Sequence, residues 1–163
     1  MALEGYDNVI ELTIDSTKVD SDLTDFPVLV SLSSSAGING FDASAVFTEL
    51  GSNSKKIAIT DSDDNQLYVE IEEWDDINQE AWLWTKVPSA SASVDTKLYL
   101  YYDATASDNT TYVGDTGDAA AQAVWNNDFV TVFHLAQDPT GGSNCILDST
   151  GNGHHGTPEG SMT

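Results

Sequence analysis

Residues 61–102, DSDDNQLYVEIEEWDDINQEAWLWTKVPSASASVDTKLYLYY, decide the fold class. Three runs in this stretch alternate apolar and polar side chains, and polar breaks separate them. Period-two alternation is the pattern of a β-strand with one dry face and one wet one. Leu67, Val69 and Ile71 fall opposite Tyr68, Glu70 and Glu72, and the acidic run Asp61 to Asn65 supplies a turn before them, a hairpin signal. Trp82, Trp84 and Lys86 alternate with Ala81, Leu83, Thr85 and Val87, so either face of that run can be the buried one. In the last run Leu98, Leu100 and Tyr102 share one side, Tyr99 and Tyr101 the other.

Outward from this centre the same pattern recurs. Ile10, Leu12 and Ile14 alternate with Glu11, Thr13 and Asp15, and Phe26, Val28, Val30 and Leu32 fall on one side of a second strand. Pro27 has no amide hydrogen to give to a ladder, which places it at a strand start or on a sheet edge. Residues 33–53 read as a long polar crossover with Phe41 and Phe47 as anchors, followed by a short strand over 56–60. Residues 117–125 suit about two helical turns, with Asp118 at the cap. Residues 129–135, FVTVFHL, read as a final strand, and the remainder to Thr163 is rich in Gly, Ser, Asp, Thr and Pro. The expected architecture is all-β, an antiparallel β-sandwich of jelly-roll type with a loop-rich C-terminal extension.

Composition limits the function. The chain has 163 residues, room for one ordinary domain with the beginning of a second, and 40% hydrophobic content sets it apart from disordered chains. It carries 27 acidic residues against 5 lysines and no arginine, a formal charge of −22. Such a balance argues against nucleic acid and against anionic membrane surfaces, both of which call for clustered basic residues. Cys145 is the only cysteine, so neither an intramolecular disulfide nor a cysteine-based zinc cluster is expected. No apolar run approaches the ~20 residues needed to span a bilayer. Residues 1–7 lack the charged and apolar regions of a signal peptide, so release by another route is expected if Met1 is the natural start.

The order of pieces from Asp25 to Tyr102 resembles a bacterial, archaeal and phage module, the domain of unknown function DUF2341, over residues ~8–103. The pieces are Asp25 to Val30, the turn from Ile59 to Leu67, Val69 to Trp74, Trp82 to Pro88, and Leu98 to Asp103. Asp103-Ala104 departs from the glycine and asparagine that the family tends to carry there. Residues 125–160 resemble the opening of a laminin-G or concanavalin-like lectin domain, through Trp125, Val132 to Leu135 and Leu147 to Gly156. The resemblance implies two units: 1–116, a DUF2341-like sandwich, and 117–163, an incomplete lectin-like segment or assembly tail. It also implies an exported or virion-associated setting. A complete lectin sandwich needs about 100 more residues than remain. An unaccompanied strand carrying Phe129, Val130, Val132, Phe133 and Leu135 would therefore need cover, from its own sandwich or from another copy by strand addition.

Candidate chemistry is sparse. Asp61, Asp63, Asn65 and Glu72 fall at positions one, three, five and twelve of a calcium-loop template. Gln66 replaces the template's glycine and strands replace its helices, so no cofactor is required, and calcium is the one ion the turn residues Asp61, Asp63 and Asn65 suit. Glu70, Glu72 and Glu73 with Asp75 and Asp76 form an acidic patch that could serve glycoside hydrolysis only if two carboxylates faced each other across a cleft; on one strand face they read as solvated surface. His134 reads as a packed or hydrogen-bonded residue, and His154 with His155 lacks a completed ligand set. Trp74, Trp82, Trp84, Tyr99 and Tyr101 suit either glycan stacking or core and interface packing. The expectation is a non-catalytic structural or adhesive protein, extracellular or on a virion surface, partnered by copies of itself or a scaffold. The alternative is a carbohydrate-binding module, assisted by calcium, that takes a surface polysaccharide.

Overall fold

The computed structural model describes residues 3–160. Among the described residues eight strands make two four-stranded sheets, and the structure is mostly β. The first sheet has the order β1 (Asn8–Ile14), β7 (Thr96–Tyr102), β3 (Ile57–Thr60), β4 (Gln66–Leu67), all antiparallel. The second has the order β2 (Leu23–Leu32), β6 (Glu80–Ala90), β5 (Val69–Asp75), β8 (Val113–Asp115), with the last pair parallel. The alternating runs thus become strands where expected, and Pro27 sits on β2, an edge strand. The parallel β8 is the one departure from a wholly antiparallel arrangement.

One hydrophobic core lies between the sheets. Ile57, Ile59, Leu98 and Leu100 come from the first sheet, and Val30, Leu32, Val69, Ile71, Leu83 and Val87 from the second. The choice left open for β6 is settled in favour of Ala81, Leu83, Thr85 and Val87, all buried, while the tryptophan side faces out. The turn after β3 does form a hairpin, pairing Ile59 with Leu67 and Thr60 with Gln66. One residue later the chain changes sheets, since Val69 begins β5.

Within the crossover, residues 44–50 form a helix, α1 (Ser44–Leu50), which the sequence reading missed. It has no side-chain cap, and its place comes from burying Val46, Phe47 and Leu50 in the core. Phe47 is the anchor; Phe41 is exposed. The expected short helix is α2 (Ala119–Gln122), continued by a 3₁₀ turn from Ala123 to Trp125. Asp118 stands at its N-cap position but turns its carboxylate to the Asp115 amide and the Lys55 ammonium. Lys55 bonds Asp115 at 2.8 Å and Asp118 at 2.9 Å, a surface pairing that ties β8 and α2 to the start of β3.

The expected strand over 129–135 does not form. Among the described residues no strand pairs with it, and Leu135 has a positive φ (60°). Val132 alone is bracketed, giving its N–H to Asp148 Oδ1 and accepting from the Ser149 N–H through its carbonyl. Among the described residues no helix is long and apolar enough to cross a membrane.

Candidate functional site: a buried carboxylate–histidine cluster

The outer face of the second sheet carries the most concentrated chemistry in the molecule. A bulge in β5 creates it. Ile71 pairs with Leu83 but Glu73 pairs with Trp82, so Glu72 is an extra residue in the strand. The inserted residue reverses the alternation beyond it. Trp74 becomes the partner of buried Ala81 and turns inward against Phe47 (5.1 Å between ring centroids), its indole N–H on the Gly51 carbonyl at 2.8 Å. Glu70 and Glu72 stay on the outer side, beside Trp84.

That side is not solvated, contrary to the sequence expectation, because residues 116–134 cover it. Glu70 is 0% exposed. Its Oε1 accepts from the Thr116 hydroxyl at 2.7 Å, and its Oε2 accepts from the Trp125 indole N–H. His134, reached at the end of the covering segment, bridges the two acids: Nε2 lies 3.1 Å from Glu70 Oε2 and Nδ1 3.2 Å from Glu72 Oε2. Glu72 Oε2 also accepts from the Trp84 indole N–H at 2.6 Å. The His134 ring stacks on Trp84 (5.8 Å, 25° between planes) and tilts against Trp125 at 5.7 Å. Every polar atom of this cluster that a buried group must satisfy is met by another member.

Electrostatics follow from that wiring. Burial pushes the Glu70 carboxyl up, but the bonds from His134, Thr116 and Trp125 outweigh it and hold the group below its ordinary value. Burial pulls the His134 imidazole down, yet the two carboxylates beside it win and raise its pKa. A protonated His134 can donate from both ring nitrogens, one to each glutamate.

A second network secures the covering segment from the far side. Asp148, fully buried, accepts through Oδ1 from the N–H groups of Val132 and Thr150, and through Oδ2 from that of His154, each at 3.0 Å. Burial alone would raise its carboxyl; these bonds bring it down to about 2. Replacing Asp148 by alanine leaves three N–H groups without their acceptor and is expected to cost at least about 2 kcal/mol. Amide hydrogen exchange should then accelerate across residues 129–134 before it does so in the sheets.

The remaining sequence candidates are dispersed. Trp74 is taken up by the core, Trp84 by the cluster, and Tyr101 is buried in the first sheet with Tyr99 two residues before it. The five aromatics therefore sit on two different sheets and form no single platform; Trp82, 43% exposed, is the open one of the three tryptophans. In the acidic turn, Asp61 Oδ1 accepts from the N–H groups of Asp63 and Asn65, and the Asn65 amide donates to Asp61 Oδ2. Glu72, the twelfth position of the calcium template, lies in the other sheet bonded to Trp84 and His134, so that template is not assembled. Among the described residues no group of three His, Cys, Asp or Glu side chains is placed to hold a metal ion.

Glu70, Glu72 and His134 were each visible in the sequence, but their association was not. The available signal was Trp84 and Trp125, two indole N–H donors that need partners once their rings are buried.

The profile of a domain of unknown function, DUF2341, matches residues 53–134, half of the chain. The match starts and ends later than the resemblance over residues ~8–103 implied, runs across the expected boundary at 116, and spans the whole cluster from Glu70 to His134. It includes none of Leu147 to Gly156. No curated protein and no solved structure matches the chain.

Proposed function

Because the chain belongs to the DUF2341 family, a domain of unknown function, its role has to be inferred from its own geometry, and we propose a non-catalytic structural or adhesive surface protein. In this reading it is a component of a virion or an extracellular appendage that packs against copies of itself or decorates a scaffold. The observation that carries the proposal is the segment after Trp125. It pairs with no strand among the described residues, and it holds Phe133 and Leu135 in solvent, the latter 70% exposed. Apolar side chains exposed on a segment outside both sheets offer a contact surface to another chain.

The glutamate–histidine cluster supports the non-catalytic half of the proposal. An acid or base at work needs a proton-accepting atom turned toward a substrate. Here the carboxylates and imidazole are spent on one another and on two indoles, beneath a covering segment. Eight strands in two four-stranded sheets favour a jelly-roll reading, an architecture used by capsid and lectin domains, although the parallel β8 departs from it. The likeness of residues 125–160 to the opening of a laminin-G or concanavalin-like domain favours the adhesive form.

Light scattering on the purified chain tests assembly. A defined oligomer is expected, and Phe133→Ser with Leu135→Asn should weaken it by about tenfold or more, since each removes an apolar side chain from the contact. Asparagine tolerates the positive φ at position 135, so the variant should fold. A wild-type chain that stays monomeric at high concentration sinks the assembly reading. Runs with and without calcium show whether the Asp61–Asn65 turn takes part.

A further inference from the structure

Beside the cluster, an open cleft of about 670 Å³ runs between α2 with its 3₁₀ turn and the loop from Thr150 to His154. Its volume lies in the range of about 300–1,000 Å³ typical of small-molecule sites. We propose that this cleft is a binding site for a neutral, hydroxyl-rich sugar, a function independent of the assembly just described.

Four polar side chains of the cleft share one design: one end is anchored and the other is left uncommitted. Asn152 donates from Nδ2 to the carbonyls of Phe129 and Val130, at 3.0 Å each, leaving Oδ1. Gln122 donates from Nε2 to the Gly117 carbonyl at 3.0 Å, leaving Oε1. His154 Nδ1 lies 3.0 Å from the Val130 carbonyl, which can only accept, so Nδ1 donates and Nε2 is left over. Asn126 accepts the Lys86 ammonium on Oδ1 at 2.6 Å, leaving its Nδ2 donors. Asp128 has no hydrogen-bond or ion-pair partner among the described residues.

The cleft thus offers acceptors, the oxygens of Gln122, Asn152 and Asp128, beside donors, the Asn126 amide N–H groups and the second N–H of Gln122. A ligand that fits must both donate and accept hydrogen bonds, which is what a run of sugar hydroxyls does. Planar amides already fixed at one end lose little freedom on binding. Phe129 adds a ring at the cleft wall, 36% exposed and held edge-on by Trp125 at 5.4 Å, against which the C–H face of a pyranose can rest. Phosphorylated, sulfated and carboxylated sugars are disfavoured by the Asp128 carboxylate in the cleft and by the charge of −22.

The test is calorimetric titration of the full chain with neutral oligosaccharides (glucan, mannan and galactan fragments), a sulfated oligosaccharide, and spermidine. Saturable binding of at least one neutral fragment is expected, and no binding of the sulfated one. Asp128→Asn and Phe129→Ala should each weaken it by about tenfold or more. Trp82→Ala, outside the cleft, should leave it unchanged. The proposal is overturned if no neutral fragment binds at millimolar concentration, if only spermidine binds, or if the cleft variants bind as the parent does while Trp82→Ala abolishes binding. Neither cleft variant touches Phe133 or Leu135, so loss of sugar binding with the oligomer intact separates this proposal from the assembly reading.

Discussion

Replacing Glu70 by alanine is expected to destabilise the protein by about 3–5 kcal/mol, a large fraction of the roughly 5–15 kcal/mol that holds a typical domain together. The loss has three parts. The Thr116 hydroxyl and the Trp125 indole lose their acceptor, and His134 keeps a charge with one carboxylate in place of two. A cavity also opens under Trp125, at a position with no exposure at all in the parent. Glu70→Gln should cost less, because an amide oxygen still accepts while the charge is gone. Denaturant unfolding of both variants, with His134→Gln and the double substitution completing a cycle, measures the coupling; additivity of the single effects would sink the cluster as an energetic unit. Trp84 and Trp125, 5.2 Å apart, provide a fluorescence signal for undocking of the covering segment.

The second large effect is a stability plateau bounded on both sides by this cluster. Glu70 is held below its ordinary value of 4.5, so its contribution is complete above that pH and is lost as pH falls through the lowered value. His134 is raised above 6.5, so its contribution is complete below that pH and is lost as pH rises through the raised value. Stability should therefore be greatest between about 4.5 and 6.5 and decline toward alkali, in a range where surface carboxylates have already ionised and their repulsion no longer changes. Thermal midpoints across pH 4 to 9 check this. His134→Gln should abolish the alkaline decline; a decline that persists unchanged in that variant assigns it to another group.

Most of the strands were legible in the sequence because apolar and polar side chains alternate along them. Ile10, Leu12 and Ile14, or Leu98 and Leu100, can only alternate that way if half the residues meet water or a polar neighbour. The turn at Asp61 was legible for a related reason, since its carboxylate does what aspartate does in turns. Residues 129–135 show the limit of the same signal. Alternation reports which side chains point inward, and Val132 and His134 do, but it does not report whether the backbone finds a strand to pair with. The helix over 44–50 has no cap or dipole signal and exists through tertiary packing. The cluster was illegible for a deeper reason. An acidic strand face reads as solvated until a third layer is known to cover it, and the one-residue bulge at Glu72 that shifts the register leaves no mark in composition.

That third layer also orders events in time. Thr116, Trp125 and His134 are all synthesised after the last strand, β8, has ended at Asp115. A chain emerging from the ribosome thus has all eight strands in hand while Glu70 and Glu72 still face water. The two sheets can close on their apolar core without taking a charge out of solvent. Desolvation of the carboxylates is deferred to the final docking step, when the histidine and the indole N–H of Trp125 arrive together with the cover.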